Sequence, residues 1–213
     1  FFACLAVSPY MYYMYKKHPF YRWIHLDEDP DKKRRNIGFL LCIVLGVLVS
    51  VFLNNLFNML SLSEVATGYT SVAESFYTGR LLFELLALGV VSPIAEELMF
   101  RGVMFGYLRR SFPKWMAFVF SSLLFGLIHM NLIQFLYAFI FGFLLCVVIE
   151  ELDTVVASIL MHGSANMISI ITQEMGISTI TGKIPVDVAV LLILALVSGL
   201  IFRYIIRDGN LPD

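Results

Sequence analysis

Charge is what this sequence has least of. Only 15% of its 213 residues are Asp, Glu, Lys or Arg, against about 25% in an ordinary soluble domain, and 59% are hydrophobic. With a mean hydropathy of +0.82, an exterior built from these residues belongs in lipid. The formal net charge of -1 leaves no excess of cations for a nucleic-acid surface. Cysteine is scarce as well. Cys4, Cys42 and Cys146 stand singly in apolar stretches without C-x-x-C spacing, so neither a disulfide framework nor a zinc knuckle is written here. No charged region precedes the first apolar residues, so no secretory leader is read, and the chain reads as starting inside a longer one. Internal repeats, low-complexity tracts and a soluble domain are also missing.

What is present is a series of apolar runs separated by short charged connections. Phe1 to Tyr15, Ile37 to Phe57, Arg80 to Tyr107, Lys114 to Met130, Leu132 to Ile149, Val155 to Thr172 and Val186 to Ile206 are seven crossings, most of them near the roughly 20 residues a bilayer demands. The fold expected is all-α, a polytopic transmembrane helical bundle of about seven spans, or eight with a segment ahead of Phe1, forming one integral membrane domain over residues 1–213. Lys16-Lys17, Lys32-Lys33-Arg34-Arg35, Arg109-Arg110, Arg203 and Arg207 alternate onto one side, together with the turn at Glu150-Glu151-Leu152-Asp153. Positive charge favours the cytoplasm, which places the carboxyl end there, in a multi-pass protein of the cell membrane, and puts the loops Asn58 to Thr78 and Gln173 to Pro185 outside.

Against this apolar background Ser92-Pro93-Ile94-Ala95-Glu96-Glu97-Leu98-Met99-Phe100-Arg101-Gly102 stands out. A charge near the bilayer centre costs roughly 2.5–3.5 kcal/mol on insertion scales, so such groups face a protein interior or a wet cavity. Glu97 and Arg101, four apart with the acid first, suit a helical ion pair. Glu96 points about 100° away and is left over, in a place where a carboxyl group can serve as an acid or base. A purely structural bridge, with Glu96 satisfied by backbone or water, accounts for this stretch equally well. Pro93 removes a helical hydrogen bond and is expected to kink the helix just before the glutamates.

Two further crossings carry His129, in Phe125-Gly126-Leu127-Ile128-His129, and His162, in Met161-His162-Gly163-Ser164-Ala165-Asn166, with Asn166 one turn on. Each alone reads as an interhelical hydrogen bond. Together with Glu96, Glu97 and Arg101 they form a polar set on three helices with few other partners, and convergence on one wet pocket is expected. At about 1.5 Å per residue, Glu97 lies roughly 18 Å, His129 roughly 22 Å and His162 roughly 13 Å from the cytoplasmic markers of their helices, a loose agreement in depth. Ser92 and Ser164 read as small packing residues.

These motifs, E-E-x-x-x-R at Glu96-Glu97 to Arg101, F-x-x-x-H at Phe125 to His129 and H-x-x-x-N at His162 to Asn166, resemble those of the CPBP or Abi family of intramembrane proteases, which includes the type II CAAX prenyl endopeptidases. The resemblance covers about residues 80–172. It implies an endopeptidase acting on a peptide or membrane-associated protein, with its site within the bilayer, open to the cytoplasm or sideways between helices. By that resemblance Glu96 with His129 activates a water, His162 and Asn166 stabilise the oxyanion, and Glu97 and Arg101 hold the arrangement. No cofactor is expected; the alternative is zinc on Glu96, His129 and His162, although no H-E-x-x-H is present. The chain resembles the bacterial branch, linked to bacteriocin or signal-peptide maturation and self-immunity, more than the eukaryotic enzymes that act on prenylated tails. Two other readings remain: a non-catalytic immunity or regulatory protein that binds a partner through the same cluster, and a proton-coupled transporter, which would carry the inverted repeats not found here.

Overall fold

Lipid offers no partner to a backbone N–H or C=O, so apolar runs of this length satisfy their own hydrogen bonds as helices. A computed structural model describes residues 2–17, 32–60, 81–129, 131–176 and 183–209. The connection from His25 to residue 31, the loop from residue 61 to Thr78, Met130 and the middle of the 173–185 loop lie outside the described residues. The rest is helical: α1 (Phe2–Lys17), α2 (Lys32–Met59), α3 (81–111), α4 (Lys114–Leu127), α5 (Leu132–Leu152), α6 (Val155–Glu174) and α7 (Ile184–Gly209). These follow the seven apolar runs in order. Within α2, α5, α6 and α7, segments of 24, 21, 20 and 23 residues are long and apolar enough to cross a membrane. At 14 residues α4 is shorter than its apolar run, because the chain turns at Ile128 and His129 before α5 begins.

Short connections are closed by side chains. Asn131 caps α5, its Oδ1 accepting from the backbone N–H groups of Ile133 at 3.0 Å and Gln134 at 3.3 Å, and Thr154 caps α6 by accepting from Val156 N–H at 3.3 Å. Asp153, between α5 and α6, takes the left-handed conformation with φ 50°. Such tight turns hold α4 antiparallel to α5 and α5 antiparallel to α6.

Small residues let α2 and α6 approach closely. A Cβ on Gly46 would collide with the Met161 carbonyl and the Ser164 hydroxyl. Ser164 Oγ donates to Ile43 O at 3.0 Å, Ser50 Oγ donates to Ala165 O at 3.1 Å, and Asn54 Nδ2 donates to Ser169 Oγ at 3.2 Å. Ser164 is thus the packing residue expected of it. Cys42, Leu45, Val49, Phe141, Leu145 and Met161 extend this seam into the main core. A second core joins Tyr15, Leu98, Phe105, Phe118, Ile149 and Val155 near the basic ends of the helices. Between the two lie the polar groups of α3.

Candidate active site

Helix α3 is not uniform. It widens into a π-helical turn at Ala87–Val91, is α-helical over Ser92–Glu97, and widens again over Leu98–Phe105. The first widening sits where Pro93 was expected to kink the helix. Ser92 N–H donates to Ala87 O, five residues back. In that register the donor for Leu88 O would be residue 93, and proline has no N–H. Asn166 of α6 fills the gap, its Nδ2 donating to Leu88 O at 2.9 Å. The widened turn also brings backbone against backbone, since a Cβ on Gly163 would come within 2.9 Å of Gly89 O.

One turn further, Glu97 and Arg101 are both wholly buried. Glu97 Oε1 accepts from Arg101 Nη1 at 2.9 Å and from His162 Nδ1 at 2.9 Å. Arg101 Nη2 donates to Gly142 O on α5 at 3.1 Å, and its guanidinium lies 4.2 Å from the ring centroid of Phe125, so a single cation is held by a carboxylate, a carbonyl and an aromatic face. Glu97 was expected to pair with Arg101. It does bridge Arg101, but it also reaches across to α6, because a carboxylate oxygen has lone pairs for two donors.

A carboxylate can only accept, so His162 carries a proton on Nδ1, and its Nε2 faces the other glutamate, 3.9 Å from Glu96 Oε2. Glu96 is 23% exposed at its side chain, whereas Glu97 has no exposure. Ser92 Oγ donates to Glu96 Oε1, so Ser92 is more than the packing residue read from sequence. His129, half-buried at the turn after α4, donates from Nδ1 to Phe125 O at 2.8 Å, so Nε2 is the nitrogen left for another partner. The rings of His129 and His162 stand 5.2 and 5.7 Å from the Phe125 ring, both edge-to-face. Phe125 is thus packed against both histidines and lies under the Arg101 guanidinium.

Of the residues read from sequence, the structure joins Glu96, Glu97, Arg101 and His162 by direct contacts, ties Asn166 to the same helix one π-turn earlier, and brings His129 alongside through Phe125. Sequence reasoning missed Ser92, Leu88 O and Gly142. Ser92 had a signal, four residues before Glu96 on its own helix face; the two carbonyls had none, because any residue supplies one.

As a test of the zinc alternative, both histidines hold Nδ1 against an acceptor, the usual way of fixing a ligating ring. Among the described residues, however, no three His, Cys, Asp or Glu side chains converge as a metal's ligand set must. Arg101 also stands beside the carboxylate that holds His162. As placed, the residues do not fit zinc.

The fold and these contacts define a multi-pass helical membrane protein with an intramembrane cluster of glutamate, histidine, arginine and asparagine. The recognition drawn from the motifs is borne out: residues 78–168 match the family described as type II CAAX prenyl endopeptidase Rce1-like, and that stretch contains all six candidate residues. The UPF0177 protein YxdF of Lactococcus lactis subsp. lactis (strain IL1403) is 32% identical over 88 residues, which is 41% of this chain and 48% of that protein. The chain thus spans about half the length of the curated relative it matches. No solved structure matches.

Proposed function

We propose that this protein is an intramembrane endopeptidase that hydrolyses a peptide bond of a peptide or membrane-associated protein by glutamate-activated water, without a metal. The observation that carries the reading is the sharing of Glu97 Oε1 by Arg101 and His162, which fixes one face of the imidazole and presents the other to Glu96. Glu96 is the general base, and His129 Nε2 accepts from the same water. As the water attacks, Glu96 takes its proton. His162 Nε2–H and the second N–H of Asn166 Nδ2 donate to the oxyanion, and the proton held by Glu96 passes to the leaving amine. For this step His162 donates from Nε2 while its Nδ1 stays on Glu97 Oε1. The family match over residues 78–168 supports the activity. The protein resides in the cell membrane with its basic helix ends and carboxyl end in the cytoplasm.

The test compares the amino-terminal peptides of membranes from a deletion strain carrying either the wild-type chain or Glu96→Gln. A general base contributes about 10²–10⁴ in rate, so a defined set of cleavages should disappear with Glu96→Gln at equal protein level. Identical peptide sets would refute the protease and favour a protein that only binds a partner. Inactivation of the purified enzyme by a chelator, with recovery on adding zinc, would refute the metal-independent route.

A further inference from the structure

We infer that Pro93 is a positioning residue for Asn166: by withholding an N–H from Leu88 O it keeps that carbonyl turned toward α6, where it fixes which end of the Asn166 amide donates into the site. The use of that amide as an oxyanion donor rests on the protease reading; its orientation by Leu88 O does not.

The contacts start with the register of α3. Ser92 N–H donates to Ala87 O, five residues back, and the next donor in that register belongs to residue 93. Proline stands there without an N–H, so Leu88 O has no axial donor at that step of the ladder. A carbonyl so placed tilts outward to an off-axis partner, and Asn166 Nδ2 meets it at 2.9 Å. On the next residue, Gly89 O lies so near α6 that a Cβ on Gly163 would come within 2.9 Å of it, and a Cβ on Gly89 would come within 2.8 Å of Met167 Cγ. At that approach a short amide on α6 reaches the Leu88 carbonyl directly.

An amide side chain by itself is ambiguous. Its oxygen accepts, its nitrogen donates, the two ends have almost the same shape, and a half turn about χ2 exchanges them. Leu88 O removes the ambiguity, because a carbonyl only accepts and so draws Nδ2. The second Nδ2–H is then held at a fixed angle, one turn beyond His162, whose Nδ1 is fixed by Glu97 Oε1 at 2.9 Å. Both donors assigned to the oxyanion are thus aimed by acceptors on α3, a carboxylate for His162 and a backbone carbonyl for Asn166. Pro93 itself is buried inside a continuous helix, where stability alone disfavours proline. The orientation of Asn166 supplies the reason for it.

The test uses four purified proteins: wild type, Pro93→Ala, Asn166→Ala and the double variant. Unfolding midpoints are read in detergent, and kcat and KM on a peptide identified from the Glu96→Gln comparison. An N–H at residue 93 gives Leu88 O an axial donor and releases Asn166. Pro93→Ala should then keep or raise the midpoint, leave KM unchanged and lower kcat about ten-fold or more, toward the loss of about 10²–10³ that follows removal of such a donor. In the Asn166→Ala background it should change kcat no further. The midpoints report the contact without reference to cleavage: Asn166→Ala strands Leu88 O and should cost about 2–12 °C alone, and much less once residue 93 supplies an N–H. Pro93→Val, nearer to proline in volume, should repeat these results and serves where Pro93→Ala leaves a destabilising void. An unchanged kcat in both Pro93 variants, a further fall in kcat on the Asn166→Ala background, or an equal midpoint loss from Asn166→Ala in both backgrounds overturns the inference. Coupled midpoints with no cleavage even by the wild type remove the protease reading and keep Asn166 oriented by Leu88 O, whereas wild-type cleavage that Pro93→Ala leaves intact does the reverse.

Discussion

Removing the cation that Glu97 depends on should damage this protein in a way that a second substitution repairs only in part. In Arg101→Met the long apolar stem is roughly kept, but Glu97 remains fully buried, with its Oε1 still held by His162 Nδ1 and the guanidinium gone. Breaking a buried ion pair by deleting one member costs about 3–5 kcal/mol, because the other charge is left without compensation. For a chain of this size each kcal/mol moves the unfolding midpoint by about 2–4 °C, so the loss expected is about 6–20 °C. Replacing both members, in Glu97→Leu with Arg101→Met, removes the stranded charge and should recover most of that loss. It should not recover activity, since His162 Nδ1 then has no carboxylate to hold it. The assays are thermal unfolding of the purified protein in detergent, followed by intrinsic fluorescence, and cleavage of a peptide identified from the Glu96→Gln comparison. A double variant whose destabilisation equals the sum of the two single ones would show that the pair is not coupled. Full activity in that double variant would show that Glu97 does not position His162.

Three other substitutions follow from single contacts. Gly142→Ala should bring its Cβ within 2.8 Å of Arg101 Nη2 and 3.1 Å of Phe125; an overpacked core of this kind costs about 1–3 kcal/mol, and activity should fall with stability, while an unchanged variant would mean that the guanidinium is not confined there. Ser92→Ala removes the donor to Glu96 Oε1; kcat should drop about ten-fold with KM unchanged, in line with about 1.5 kcal/mol for a hydrogen bond to a charged group, and Ser92→Thr should restore it. A KM effect with kcat preserved would assign Ser92 to substrate binding instead. Gly46→Val should force α2 away from the Met161 carbonyl of α6 and lower the unfolding midpoint more than Gly199→Val in α7, where nothing lies within 4 Å of an added Cβ; equal shifts would deny the close seam.

Seven apolar runs, the charges that separate them and the three motifs were legible in the sequence because each is a local pattern. Helices in lipid form wherever enough consecutive residues are apolar, and their order follows the chain. Pro93 announced a disturbance in α3, and the i,i+4 spacing announced the Glu97–Arg101 pair. The widening of α3 on both sides of the glutamates was not legible, nor was the sharing of Glu97 Oε1 between Arg101 and His162, residues 61 apart in sequence. These depend on how α3, α5 and α6 approach one another, and that distance is set by glycines at 89, 142 and 163 whose missing side chains matter only once a partner is opposite. The sequence by itself determined a helical membrane protein with a polar cluster on three of its helices. Tertiary structure alone decided which atom faces which: Asn166 meets Leu88 O because proline at 93 leaves that carbonyl open in a widened turn, and His162 presents Nε2 to Glu96 because Glu97 has already taken Nδ1.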